Sequence, residues 1–175
     1  MKYNARKNEV EVKLGLLSDT HNDTGNLQKA VSIFNDYEID LLIHCGDVTS
    51  IKLLQWLKAL PMILTFGNGD IANGEMKTMI MQFNPDNFAA YSFQGKIGDK
   101  QIGVTHGHIK EIMEGMIQSQ KLDYIFCGHT HRRRDELIGK TRLINPGALG
   151  GMYYQTRSIA ILDLDSGNLI FEEIA

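Results

Sequence analysis

The sequence predicts an α/β fold, on three observations. Short apolar runs alternate with segments of helical spacing through the first half of the chain. Glycine-centred hairpin patterns fill the second half. Five apolar runs each end directly in a polar residue able to bind a metal.

Each element follows from its own pattern. Residues 1–9 read as a polar, flexible leader to a single domain over 10–175, and residues 10–17 as a first strand. Residues 24–37 place Leu27, Ala30, Val31 and Phe34 at helical spacing, with Thr24 as candidate N-cap. Residues 41–43 read as a buried parallel strand. Residues 50–60 read as a second helix, with Ile51, Leu54, Trp56 and Leu57 as its core face and Pro61 ending it. Residues 62–66 give a third strand. Residues 74–83 suggest a helix packed through Met76, Met79, Ile80 and Met81. Residues 89–97 and 100–105 pair around Gly98-Asp99, and residues 109–120 form a helix. A short strand over 123–127 follows. Two further hairpins turn at Gly139-Lys140 and Ser166-Gly167.

Composition excludes several classes. Of 175 residues, 43% are hydrophobic and 22% charged, the balance of a folded globular chain rather than a disordered one. The net charge of −3 gives no support for a nucleic-acid or anionic-membrane partner. No apolar run reaches membrane-spanning length, and the polar start lacks a secretory pattern. Two cysteines, Cys45 and Cys127, cannot form a disulfide framework and read as buried thiols. A cytoplasmic address is expected.

The strand ends carry the chemistry. The runs over 14–18, 42–46, 63–67, 102–105 and 124–128 lead to Asp19, Asp47, Asn68, His106 and His129. Sites in open α/β sheets form beyond the carboxyl ends of the strands, so these groups converge. With His21 and His131 they make two carboxylates, one amide and four imidazoles. That mixture suits Mn, Fe, Ni or Zn better than Ca or Mg. Seven donors exceed one tetrahedral ion and fit two, the arrangement of a phosphoryl-displacement clamp.

The blocks Asp19-Thr20-His21, Gly46-Asp47, Gly67-Asn68, His106-Gly107 and Gly128-His129-Thr130-His131 occur in this order, and Asn145-Pro146-Gly147 follows. The sequence resembles the calcineurin-like metallophosphoesterases, and within them the small single-domain bacterial and archaeal phosphodiesterases. The resemblance runs from about Lys13 to the C-terminus. It implies a four-layer α-β-β-α sandwich of two mixed sheets flanked by helices. It also implies a ligand assignment: Asp19, His21, Asp47 and His131 at one ion, and Asp47, Asn68, His106 and His129 at the other, with Asp47 bridging. Two divalent transition-metal ions, Mn foremost with Ni, Fe or Zn as alternatives, would then supply a bridging hydroxide to attack a small phosphate ester. Asn68 would steady the charge that develops on it.

One position departs from the family pattern. Many members carry a histidine after the Gly-Asn pair, and that histidine can protonate the leaving group. Here the block reads Gly67-Asn68-Gly69-Asp70. The acid role falls to Asp70, His108 or water, and poor leaving groups are expected to react slowly.

Other residues have plainer readings. His44 reads as a hydrogen-bonded structural residue, and Arg132-Arg133-Arg134 as a solvated strand face. Alternatives to a phosphodiesterase are a phosphomonoesterase, a non-catalytic scaffold like the retromer subunit of this fold, or a nuclease. The intact ligand set argues against the scaffold, and the lack of room for a DNA-binding domain against the nuclease. Exposed hairpin edges would allow a homodimer.

Overall fold

The computed structural model describes residues 2–3, 12–152 and 155–175. The described strands are β1 (Lys2–Tyr3), β2 (Lys13–Leu17), β3 (Leu41–His44), β4 (Met62–Thr65), β5 (Phe88–Ala90), β6 (Ser92–Ile97), β7 (Lys100–Thr105), β8 (Tyr124–Phe126), β9 (Arg133–Ile138), β10 (Thr141–Pro146), β11 (Ser158–Asp163) and β12 (Leu169–Glu173). The α-helices are α1 (Thr24–Asp36), α2 (Asn73–Phe83) and α3 (Lys110–Ser119), and Ile51–Leu57 is a 3-10 helix. Of the leader expected over 1–9, Lys2–Tyr3 pair in parallel with β6. Residues 4–9, and the expected strand start at 10–11, lie outside the described residues.

Two six-stranded mixed sheets result, ordered β12-β11-β2-β3-β4-β5 and β1-β6-β7-β8-β10-β9. β3 and β4 are buried at every position, each three apolar residues followed by one buried polar residue, His44 or Thr65, as suits central parallel strands between two covered faces. The sheets pack face to face through Leu14, Leu16, Ile43 and Ile63 against Ile102, Val104, Phe126 and Ile144. α1, the 3-10 helix and α2 cover the far side of the first sheet through Phe34, Leu54 and Ile80. α3 covers the second through Met116. The four-layer sandwich is therefore the fold.

Several local expectations change. Asp23, not Thr24, caps α1: it is extended and its Oδ1 accepts from the Asn26 N–H at 2.9 Å, leaving Thr24 as the first helical residue. The second helix is a 3-10 helix, whose three-residue period stacks Leu54 and Leu57 inward and turns Trp56 out to 47% exposure. Trp56 is therefore not core. Met76 is buried, whereas Met81 faces solvent. Residues 89–97 do not form one strand: β5 pairs with β4 in the first sheet, and β6 pairs with β7 in the second, so the chain changes sheets at Tyr91. Cys45 and Cys127 are buried free thiols, and burial pushes the Cys45 thiol well up and the Cys127 thiol up to about 12, which favours the protonated form of both.

The 3-10 face makes a testable pair. Leu54→Ala should cost about 2–5 kcal/mol in denaturant unfolding, while Trp56→Ala should stay within about 0.5 kcal/mol of the parent. Equal losses would contradict this packing.

Candidate metal centre

The carboxyl ends of β2, β3, β4, β7 and β8 deliver Asp19, Asp47, Asn68, His106 and His129 to the loops at one edge of the sandwich. These loops are unusually bent. Asp19 (φ 53°), His21 (43°), Asp47 (57°), His129 (68°) and His131 (56°) all lie in the left-handed region. Each non-glycine residue there costs about 1 kcal/mol or more, a burden that clusters at functional sites. Cross-loop bonds hold the conformation: Asp19 N to Gly46 O (2.9 Å), His21 N to Asp47 O (3.0 Å) and Gly128 N to His106 O (3.0 Å). Close approach demands glycine at two points. A Cβ on Gly67 would stand 2.0 Å from Asp47 Oδ1, and one on Gly128 would stand 1.8 Å from Ser18 Oγ.

Each carboxylate has one oxygen anchored and one turned inward. Asp19 Oδ2 accepts from Ser18 Oγ (2.7 Å) and His129 N (3.0 Å). Asp47 Oδ1 accepts from Gly69 N (2.7 Å). The inward oxygens face the imidazoles. Asp19 Oδ1 is 3.2 Å from His131 Nε2, 3.7 Å from His21 Nε2 and 3.9 Å from His106 Nε2. Asp47 Oδ2 is 3.5 Å from His21 Nε2 and 3.6 Å from His106 Nε2. Two groups with metal-ligand spacing emerge, Asp19–His21–His131 and Asp19–Asp47–His106, and Asp19 belongs to both.

Outer contacts aim the rings. His106 Nδ1 bonds Cys45 O at 2.7 Å, and His131 Nδ1 bonds Met152 O at 3.0 Å. A carbonyl only accepts, so both Nδ1 atoms carry the hydrogen and both Nε2 atoms point inward as donors to a cation. Arg157 donates to Gly150 O and Gly151 O, bracing the segment beneath His131. Asn145 Nδ2 donates to Gly128 O (2.8 Å) and Thr130 Oγ1 (3.1 Å), which steadies the loop between His129 and His131.

The donor set fits a cation. Asp19 Oδ1 and His106 Nε2 are fully buried and make no well-formed hydrogen bond. Burial raises the Asp19 pKa, but the nearby imidazoles of His131, His21 and His106, with the Ser18 hydroxyl, outweigh it, so the carboxyl stays well below the usual range. Asp19 in turn raises His131. Burial, then neighbouring His106, lowers both His108 and His129.

The remaining sequence candidates divide. His129 joins the cluster by its ring, 5.1 Å from that of His106. Asn68 is exposed in the loop between Gly67 and Gly69. Asp70 is buried, and both its oxygens accept backbone hydrogen bonds: Oδ2 from Asp47 N (2.9 Å) and Gly67 N (2.8 Å), Oδ1 from Thr49 N (2.8 Å). It ties the Asp47 loop to the Asn68 loop. His108 stands beside the cluster, its ring 5.3 Å from His106, with Nδ1 buried and unpaired. Ser18, which anchors Asp19 Oδ2, is the contact the sequence did not single out. Its one signal in the sequence is its place directly before Asp19.

His44 has the structural role expected of it. It is fully buried, its Nδ1 accepts from Gly46 N (3.1 Å), and Nε2–H donates to Thr20 Oγ1 (2.9 Å). Burial lowers its pKa to about 3. The unfolded chain therefore binds a proton at His44 that the folded chain refuses between pH 6.5 and about 3. Its contribution is complete above pH 6.5 and shrinks as pH falls through that window. Stability of the metal-free protein should fall more steeply from pH 6 to 4 than that of His44→Gln, by up to about 1.4 kcal/mol per pH unit in denaturant titrations. Parallel slopes would contradict the burial of a neutral imidazole.

Comparison with known proteins places this geometry. The family model described as the calcineurin-like phosphoesterase superfamily domain matches residues 12–167. A phosphodiesterase of Methanocaldococcus jannaschii is 34% identical over 156 residues, covering 88% of this chain and 94% of that one. A solved structure of an archaeal phosphodiesterase superposes with a TM-score of 0.88 at 32% identity, over 93% of this chain and 99% of that one. The zinc complex of Vps29 from Entamoeba histolytica shares the fold, with a TM-score of 0.64 at 18% identity over 93% and 98% of the two chains. The chain therefore belongs to the calcineurin-like phosphoesterase superfamily.

Proposed function

We propose that this protein is a dinuclear metal-dependent phosphodiesterase acting on a small phosphate ester. The observation that carries the reading is the convergence of Asp19 Oδ1, Asp47 Oδ2 and the Nε2 atoms of His21, His106 and His131 on one buried space, with Asp19 Oδ1 and His106 Nε2 lacking hydrogen bonds. The similarity to a named phosphodiesterase supports the choice of diesters.

Asp19, His21 and His131 would hold one ion, and Asp47, His106, His129 and Asn68 the other. When bound, two divalent ions supply positive charge for the phosphate and acidify water at neutral pH. Manganese heads the candidates, with nickel, iron and zinc also suited to these donors. Asn68, exposed between Gly67 and Gly69, would donate from its side-chain amide to a phosphate oxygen. Asp70 is assigned to loop positioning, because its oxygens are occupied by three backbone N–H groups. The proton for the leaving alcohol then comes from His108 or water.

No described helix is long and apolar enough to cross a membrane. A cytoplasmic location and a small soluble substrate remain part of the proposal. Strand β9, at a sheet edge, carries Arg134 paired with Glu136 and Asp135 paired with Arg142. A charged edge resists strand pairing, so this edge is not the route to a homodimer.

The test combines metal content with turnover. Protein stripped with chelator and restored with Mn²⁺ should hold about two ions per chain and cleave bis-p-nitrophenyl phosphate faster than p-nitrophenyl phosphate. Asp47→Asn should lose metal and at least about a hundredfold in kcat. Two ions with monoester cleavage alone would make it a phosphomonoesterase. No bound metal would return the scaffold reading.

A further inference from the structure

Beyond His108, one side of the imidazole cluster continues to an exposed aromatic residue, Tyr91, that the hydrolytic reading does not use. Tyr91 sits at the single residue where the chain passes from β5 in one sheet to β6 in the other. The crossover fixes its backbone, yet its side chain is 48% exposed. Two contacts hold the ring in place. Phe66 meets it edge-on, with centroids 5.6 Å apart and an interplanar angle of 77°. Its hydroxyl accepts a hydrogen bond from Asn73 Nδ2 at 3.0 Å. An exposed aromatic pinned at both ends is preorganised and loses little entropy when a ligand stacks on it.

The Tyr91 ring lies 6.5 Å from that of His108, which lies 5.3 Å from His106 and 6.3 Å from His129. A phosphate held at the imidazole cluster would carry its organic substituent outward along this line. Two buried polar atoms beside Tyr91 lack partners, Asn73 Oδ1 and His108 Nδ1. Unpaired buried groups are costly unless a ligand or water satisfies them. A π-face flanked by unsatisfied polar atoms has the make-up of a pocket for a planar ring with polar edges. The opposite flank offers less: the carbonyls of Gly150 and Gly151 are taken by Arg157, and that of Met152 by His131.

We propose that Tyr91, with Asn73 and His108, forms the subsite for the organic substituent of the ester and selects a planar ring, aryl or heteroaromatic. This rests on the phosphoesterase reading. Tyr91 acts through its ring face, and Asn73 positions it.

Two non-hydrolysable probes, phenylphosphonate and methylphosphonate, isolate the ring. They would be titrated calorimetrically into manganese-loaded protein. The parent should bind the phenyl compound about tenfold tighter, the size of one aromatic pair. Tyr91→Ala should bring the two within about twofold while leaving methylphosphonate affinity and metal content unchanged. Tyr91→Phe, which keeps the ring, should retain most of the preference. A parent without preference, or a preference that survives Tyr91→Ala, would overturn the subsite. If the parent also cleaves bis-p-nitrophenyl phosphate, only the subsite falls. If neither phosphonate binds and no diester is cleaved, the phosphoesterase reading falls with it.

Discussion

Two buried carboxylates facing the same space are the constraint around which this molecule is built. Asp19 and Asp47 are nearly inaccessible, and each turns one oxygen inward. Without compensation such an arrangement costs several kcal/mol per charge. The nitrogens of His21 and His106 each lie between both carboxylates, at 3.5–3.9 Å. The spacing suits ions seated among the donors better than direct hydrogen bonds. Everything around the centre keeps these oxygens and nitrogens aimed inward: anchors on the outer oxygens, carbonyls on the outer ring nitrogens, and glycines where loops touch.

The sandwich explains how so much strain is borne. Parallel strands that end at one edge bring distant loops together, and the loops then brace each other through backbone bonds. Asp70 joins the Asp47 and Asn68 loops, His44 joins the Asp19 and Asp47 loops, and Asn145 joins the two ends of the His129 segment. None of these three side chains belongs to the cluster, yet each steadies a loop that carries one of its groups. The left-handed residues are affordable because the apolar layers beneath them are packed on both faces.

Much of this was legible in the chain. Apolar runs ending in Asp, Asn or His revealed both the strands and the edge where they converge. The pattern predicted which side chains would meet, because a strand end fixes direction as well as position. The failures have physical causes. A period of 3.6 puts Trp56 in the core, but the segment winds with a period of three, and that face is turned away. Residues 89–97 looked like one strand because sequence alternation is blind to a change of sheet. That change placed Tyr91 beside the centre, where no local pattern pointed. Asp70 looked like an available acid by proximity in sequence; only the three N–H groups around it reveal its work as a brace.

The most direct measurement is anomalous X-ray diffraction from crystals of the manganese-loaded protein. Two anomalous peaks about 3.5–4 Å apart are expected, one beside Asp19, His21 and His131 and the other beside Asp47, His106 and His129. A single peak, or none at this edge of the sandwich, would contradict it.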